Sequence, residues 1–440
     1  MLSLLLCCVA GHGQEAPPKV TLICTVAPDV ICVKVQSGEA VFGTQHPYEA
    51  QPGDRIENPE QHRWVMRDGK CIGALAGAEQ KIIRDMDRVV GQRIDGARLS
   101  QADGYRVACA ADSNYAAPVT PTAVHRKSKP TALARTAGWS FDSPVEHTIY
   151  LRLTKPLSIG KEYAVTFPEG VLPEQRFTYE PVQLRSEAVH VSHLGFRPDD
   201  PAKVGFLSCW MGDGGGLKYA EGLPFHVVDE ATGNSFADGI LRLAKAADAT
   251  DENAYKVNHN KTDVWEADFT ALTRKGTYRL YVEGIGCSYS FPIADDVWRK
   301  AFTVSARGFF HQRSGIALGP PYTDYVRPRC FHPDDGVKVY ASTAGLMDTG
   351  NGLNSADSNF GNLVKGATDE IVPNAWGGYM DAGDWDRRIQ HLVVSRRLLE
   401  LQEMAPDTFA NLSLNIPESD NALPDIVDEA LFNLDCYRRM

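Results

Sequence analysis

The 440-residue sequence has no apolar run of bilayer length; residues 2–10, reading LSLLLCCVA, fall well short of the ~20 apolar residues that a spanning helix needs. It has no excess of positive charge, since 45 Lys and Arg stand against 56 Asp and Glu for a net charge of −11. Nucleic acid and anionic membrane surfaces both select basic faces, so neither is an expected partner. No Cys-x-x-Cys pair occurs among the ten cysteines, which removes zinc-ribbon and thioredoxin-like readings. What remains is a chain of ordinary apolar content (43%), long enough for two to four domains with separate cores.

Residues 1–14 suit a secretory signal peptide: a short apolar core followed by small residues, although the usual preceding basic residues are missing. The expected location is therefore periplasmic, cell-surface or extracellular. Cys24 and Cys32 flank the turn VAPDVI and are placed to face each other across a hairpin. An exported chain could oxidise them; buried free thiols are an equal reading.

Residues 19–182 read as β structure. VTLICTV, VICVKV, HTIYLRL and EYAVTF are short runs rich in β-branched and aromatic residues, separated by Gly, Pro and Asp. EQKIIRDMDRVV is the one segment there that reads as a short helix. One or two accessory β-sandwiches are expected. Residues 186–293 repeat the pattern in EAVHVSHLGF, AKVGFL, VWEADF and GTYRLYVEG, at the spacing of an immunoglobulin-like sandwich.

From Asp295 and Asp296 the hydrophobic period changes to near 3.6. Trp298, Ala301, Phe302, Ser305 and Phe309 share one expected helix face, with the two aspartates as N-terminal caps. After the polar loop DTGNGLNSADSNFGN, Trp385, Ile389, Leu392 and Leu399 line up again. A last helix is expected to start near Pro424, with Asp425, Asp428 and Glu429 at its positive end and Val427, Ala430, Leu431 and Leu434 as its buried stripe. The text then stops without a capping motif, and its amphipathic faces want further partners, so the chain reads as the N-terminal part of a larger helical domain.

The densest chemistry is GGYMDAGDWDRR, residues 377–388. Asp384 falls at the expected start of a helix, where unpaired N–H groups and the macrodipole keep a carboxylate ionised, as a general base requires. Asp381 lies one turn earlier and could share one water with it. Gly377, Gly378 and Gly383 allow close backbone approach. Trp376, Tyr379 and Trp385 offer flat apolar faces that would stack on a sugar ring. An isolated Asp-x-x-Asp is more often an N-cap beside a solvated acid, and acidic turns also bind calcium, so structural calcium and a calcium-stabilised structural protein stay open.

This stretch resembles the Gly-Gly-aromatic-x-Asp-Ala-Gly-Asp signature of glycoside hydrolase family 9, the inverting cellulases. RGFFHQRSGIALGPPYTDYVRPRCFHPDDG resembles the family's entry segment, and NALPDIVDEALFNLDCYRRM its Pro-Asp-Ile-x-Asp-Glu helix. The domain before them is similar to the immunoglobulin-like domain that precedes many of these catalytic domains. The resemblance covers roughly residues 187–440 and implies that residues 297–440 are the N-terminal portion of an all-α barrel of six helical hairpins. It implies Asp384 as catalytic base, Asp381 as its companion in holding the water, a β-1,4-glucan substrate, and a general acid near the end of the catalytic domain. Glu418 and Glu429 match other parts of the pattern and are not given that role. Some relatives bind zinc through Cys and His in these segments; here Ser314 and Met380 stand at two such positions, leaving Cys330 and His332, too few for a four-ligand site. The competing reading is a non-catalytic glycan-binding or cell-surface scaffold with a decayed hydrolase domain.

Overall fold

The computed structural model describes residues 16–77, 79–250, 255–345, 365–380 and 391–440. The expected signal segment, the loop at residues 348–362, and Asp381, Gly383, Asp384, Trp385 and Ile389 lie outside them. The chain forms two compact units, residues 1–295 and 296–440. Strands dominate the first and helices the second. No helix among the described residues is long and apolar enough to cross a membrane.

The first unit opens with the hairpin Lys19–Ala27 and Val30–Ser37. Its second strand pairs with Val145–Arg152, which in turn pairs with Ala123–Pro130, giving a four-stranded antiparallel sheet. One face of that sheet (Ile31, Val33, Val35, Ile149, Leu151) packs on Val107, Tyr163, Val165 and Phe177 of a three-stranded sheet, forming a β-sandwich. The opposite face (Cys24, Val26, Val30, Cys32, Tyr150) is covered by the following β layer. Burial on both faces explains why VICVKV is nearly continuous in apolar residues instead of alternating.

Between these strands the chain inserts a five-stranded sheet with the small core Val65, Leu75 and Ile83. The segment read as a short helix forms strand Ile82–Asp85 of this sheet and strand Arg88–Val90, which pairs separately with Glu39–Val41. Its apolar pair is β-branched, and Ile83 packs on Val65 and Leu75; that sheet contact overrides a helical reading built on spaced charges. Cys24 and Cys32 are indeed register partners, and both are buried free thiols.

Residues 186–293 build two further antiparallel sheets around Phe196, Trp265, Phe269, Tyr278 and Phe291. Glu187 ties this layer to the first sheet: its carboxylate meets Lys127 Nζ at 2.6 Å and accepts from Tyr150 OH at 3.0 Å and Cys32 Sγ at 3.1 Å. Burial raises its pKa, but Lys127 and then Lys34 outweigh that and hold the carboxyl below its ordinary range. Ser186 Oγ donates to Thr25 O at 2.6 Å and Thr25 Oγ1 to Ile285 O at 2.7 Å, so buried polar groups at this seam are paired.

The second unit contains helices Val297–Gln312, Leu392–Met404 and Asp425–Arg439 around a core of Ala306, Phe310, Leu398, Leu414, Ile416, Ile426 and Ala430. The first helix starts where the period changes, but Asp296 makes no side-chain cap; it holds Lys300 at 2.8 Å instead. Its buried positions are Val297, Ala306 and Phe310, while Trp298 is exposed, so the buried face is rotated from the one expected. Phe302 packing on Phe409 and Phe310 on Tyr322 set that rotation. The last helix is rotated as well. Ile426, Glu429, Ala430, Asn433 and Cys436 point inward, and Leu431 is exposed.

Candidate active site

The polar residues on the inner face of helix Asp425–Arg439 organise the surroundings of the Asp-x-x-Asp segment. Arg313, which ends the first long helix, is 1% exposed. Its Nε and Nη2 donate to the two oxygens of Glu429, each at 3.1 Å, in the parallel fork that fits guanidinium to carboxylate. Nη1 donates to Glu418 at 3.0 Å, and the guanidinium lies 4.1 Å over the Phe432 ring. Burial raises the pKa of Glu429, and Arg313 and the Tyr379 hydroxyl act against that rise.

This cluster anchors the strand-like approach to the motif. Ser314 N donates to Gly378 O at 2.8 Å, and Met380 N donates to Gln312 O at 2.8 Å. Tyr379 OH lies 2.9 Å from Glu429 Oε1 and 3.1 Å from its backbone oxygen. One turn further along the same helix, Asn433 Nδ2 donates to His391 O at 2.9 Å and Ser395 Oγ at 2.8 Å. Met380 and His391 flank residues 381–390, so the same helix face fixes both ends of the carboxylate-bearing segment. Of the expected stripe of Val427, Ala430, Leu431 and Leu434, Ala430 is buried and Val427 packs against the core, while Leu431 is exposed and the polar Glu429 and Asn433 take inward positions.

Gly377 and Gly378 answer a requirement of the backbone itself, while Gly383 lies outside the described residues. Gly377 and Gly378 have φ of +104° and +70°, a region that L side chains rarely adopt. A Cβ on Gly378 would stand 3.2 Å from Cys436 Sγ, and one on Gly377 3.1 Å from Arg439 Nη1. Gly378→Ala should therefore lower the stability of this unit by about 1–2 kcal/mol, the order of the left-handed backbone penalty, as read by urea unfolding. A variant as stable as the parent would show that the helix and this segment do not meet so closely.

Of the expected sugar-stacking residues, Trp385 lies outside the described residues with Asp381 and Asp384. Tyr379 is 7% exposed, packed on Phe309 and held by Glu429. It supports the segment from within and presents no open face. Trp376 is half-buried, between His332 at 4.7 Å and the Arg439 guanidinium at 4.0 Å. It lines a cleft of about 630 Å³ together with Tyr322, Glu418, Asp428 and Phe432. Sequence reasoning missed Asp428 as a lining residue. One of its oxygens accepts from Asn421 at 2.9 Å; the other is buried with no hydrogen-bond partner, and burial raises its pKa.

A zinc site does not fit these residues. Ser314 and Met380 supply no thiolate or imidazole at their two positions, and His332 Nδ1 already accepts from Asp334 N at 3.2 Å, so too few ligand atoms remain for a four-ligand site. Among the described residues no group of three or more His, Cys, Asp and Glu is placed to hold a metal ion; the Asp381/Asp384 turn of the calcium reading lies outside them.

Residues 185–287 match the family of cellulase N-terminal immunoglobulin-like domains. A xyloglucan-specific endo-β-1,4-glucanase of Bacteroides ovatus is 31% identical over 169 residues, covering 38% of this chain and 25% of the relative. Endoglucanase D of Acetivibrio thermocellus is 28% identical over 181 residues, covering 40% of this chain and 25% of the relative. This chain thus spans about a quarter of the length of these curated relatives. Among solved structures, a metagenome-derived glycoside hydrolase family 9 endoglucanase aligns at 24% identity with a TM-score of 0.40, covering 57% of this chain and 40% of that one. Residues 185–287 are thus similar to the immunoglobulin-like domain of cellulases, and the chain is similar to endoglucanases over about two fifths of its length.

Proposed function

We propose that this protein acts as an exported β-1,4-glucan hydrolase of the inverting, single-displacement kind, with its helical unit forming part of a six-hairpin α/α barrel. The observation that carries the reading is the order of parts within one chain. A cellulase-type immunoglobulin-like domain precedes a helical unit whose buried Arg313–Glu429 pair positions the residues on either side of Asp381 and Asp384.

In this reading Asp384 is the general base that takes one proton of the water, while Asp381 accepts a hydrogen bond from the water's other O–H, turning its lone pair toward the anomeric carbon. Two carboxylates acting on one water orient it and raise its nucleophilicity. Trp376 and Trp385 present aromatic surface to the sugar rings of a polysaccharide chain. A carboxylic acid on the opposite side of the scissile bond must protonate the leaving oxygen, with room for the water between. Glu429 is unsuited to that task, because both its oxygens are taken by Arg313.

Displacement by a single water inverts the anomeric carbon, so hydrolysis of a β-linked glucan should release the α-anomer first. Proton NMR of the product within the first turnovers reads this directly, before mutarotation mixes the anomers. A β-anomer appearing first would mean a covalent glycosyl intermediate and would remove the water-holding role of the Asp381/Asp384 pair.

A further inference from the structure

In the first unit, two chain segments bring aromatic rings together at the surface. Trp64 belongs to strand Trp64–Arg67 of the inserted five-stranded sheet, and His62 stacks on it at 4.9 Å with 15° between the planes. Trp139 sits at the turn of the hairpin Ala134–Ala137 and Ser140–Asp142, edge-on to His62 at 5.0 Å and to Trp64 at 6.3 Å. Phe141 follows, 6.5 Å from Trp139. Trp139 is 61% exposed and Phe141 43%. Single exposed apolar residues are ordinary, but a contiguous patch of large rings on a soluble protein marks a contact surface.

The patch is built to hold its shape. Arg135 faces Phe141 across the hairpin, and its guanidinium lies 4.7 Å over the Trp139 ring and 5.5 Å over that of Phe141. Asp87 fastens the hairpin to the inserted sheet: Oδ2 accepts from Arg135 N at 2.9 Å, and Oδ1 from Gly43 N and from Arg84 Nη2, each at 2.9 Å. Gly138, at φ +50°, lets the turn pass beside the Trp64 ring. Rings fixed before a ligand arrives lose little freedom on binding it.

We propose that His62, Trp64, Arg135, Trp139 and Phe141 form a glycan-binding surface, taking a segment of a neutral β-linked glucan chain. The C–H faces of equatorially substituted pyranose rings carry small positive partial charges and lie flat on the electron-rich faces of indole and phenyl rings. Ring hydroxyls at the rim are within the chemical reach of guanidinium and imidazole donors. A single-stranded nucleic acid would also stack on such rings, but it needs a basic track that a chain of net charge −11 does not favour. The surface lies outside the matched residues 185–287 and gives the N-terminal β region a role: it holds the polymer that the carboxylates would act on. The choice of a β-glucan, though not the existence of the surface, rests on the function proposed above.

Native affinity electrophoresis tests this with the whole chain run in gels containing hydroxyethylcellulose, xyloglucan, chitosan or soluble starch, paired with tryptophan fluorescence titration. The cellulose derivative or xyloglucan should retard the protein and quench its fluorescence. Trp139→Ala should weaken both by roughly tenfold or more, the size of a binding hot spot, while Trp139→Tyr retains most of the affinity. Unchanged melting of both variants would separate lost contact from lost fold, and is expected because Trp139 is mostly exposed. Retardation by chitosan or starch alone, abolished in Trp139→Ala, would keep the surface and overturn the β-glucan assignment. No retardation by any glycan, or equal retardation of parent and Trp139→Ala, would overturn the proposal even if β-glucan hydrolysis by the enzyme were established separately.

Discussion

Replacing Asp384 by Asn should reduce the turnover of the enzyme on β-glucan by about 10²–10⁴, with KM and melting temperature close to the parent values. The amide keeps the size and most hydrogen bonds of the carboxylate but cannot take a proton from water, so the loss falls on kcat. Asp381→Asn should be milder, because one amide oxygen still accepts from the water and positions it. Steady-state kinetics on a soluble glucan, together with thermal melting of both variants, decide between roles. If Asp384→Asn kept near-normal hydrolysis while Asp381→Asn destroyed it, the base would be Asp381. If both variants lost stability together with activity, the pair would be holding the helical unit together instead of activating water.

The second large effect belongs to the support beneath them. Glu429→Leu should destabilise the helical unit by about 3–5 kcal/mol, since it leaves Arg313 charged, 1% exposed and without its bidentate partner. Glu418, partly exposed, compensates incompletely. The double variant Arg313→Met/Glu429→Leu removes both charges and should recover most of the stability, since apolar residues of similar volume often replace a buried pair at little cost. Urea unfolding of the single and double variants measures this as a double-mutant cycle. The double variant should nevertheless lose activity, because Tyr379 no longer has its carboxylate partner and the approach to Asp381 is no longer fixed. A Glu429→Leu chain as stable as the parent would show that the pair contributes little; full activity in the double variant would show that it does not position the segment.

Cys24 and Cys32 illustrate how far the sequence could be read and where it stopped. Their placement across a hairpin follows from β-branched runs around a Pro-Asp turn, because strand pairing with a short turn is a local matter. Which sheet face they share, and what covers it, depended on a layer more than 150 residues away, where Glu187 reaches Cys32. The chain's own text likewise carried the passage from strand to helix after Asp296, the start of the last helix at Pro424, and the Gly-Gly-Tyr-Met-Asp signature, since hydrophobic period and turn chemistry are properties of neighbouring residues.

Tertiary structure decided the rest. A helix stripe read from periodicity can be rotated by its partners: Arg313 drew Glu429 inward, Asn433 followed one turn on, and Leu431 was left outside. Residues 82–85 became a strand because Val65 and Leu75 offered a sheet to pack on. Tyr379, which reads as a surface ring in a motif of exposed residues, is buried, and its hydroxyl donates a hydrogen bond to Glu429. The aromatic surface has no local signature at all, for His62 and Trp64 lie some seventy residues from Trp139 and Phe141 and meet only because Asp87 fastens one hairpin to another sheet. Local pattern sets which residues can form an element; long-range contacts alone select the face it buries, because burial free energy is gained only against a partner that folding brings into reach.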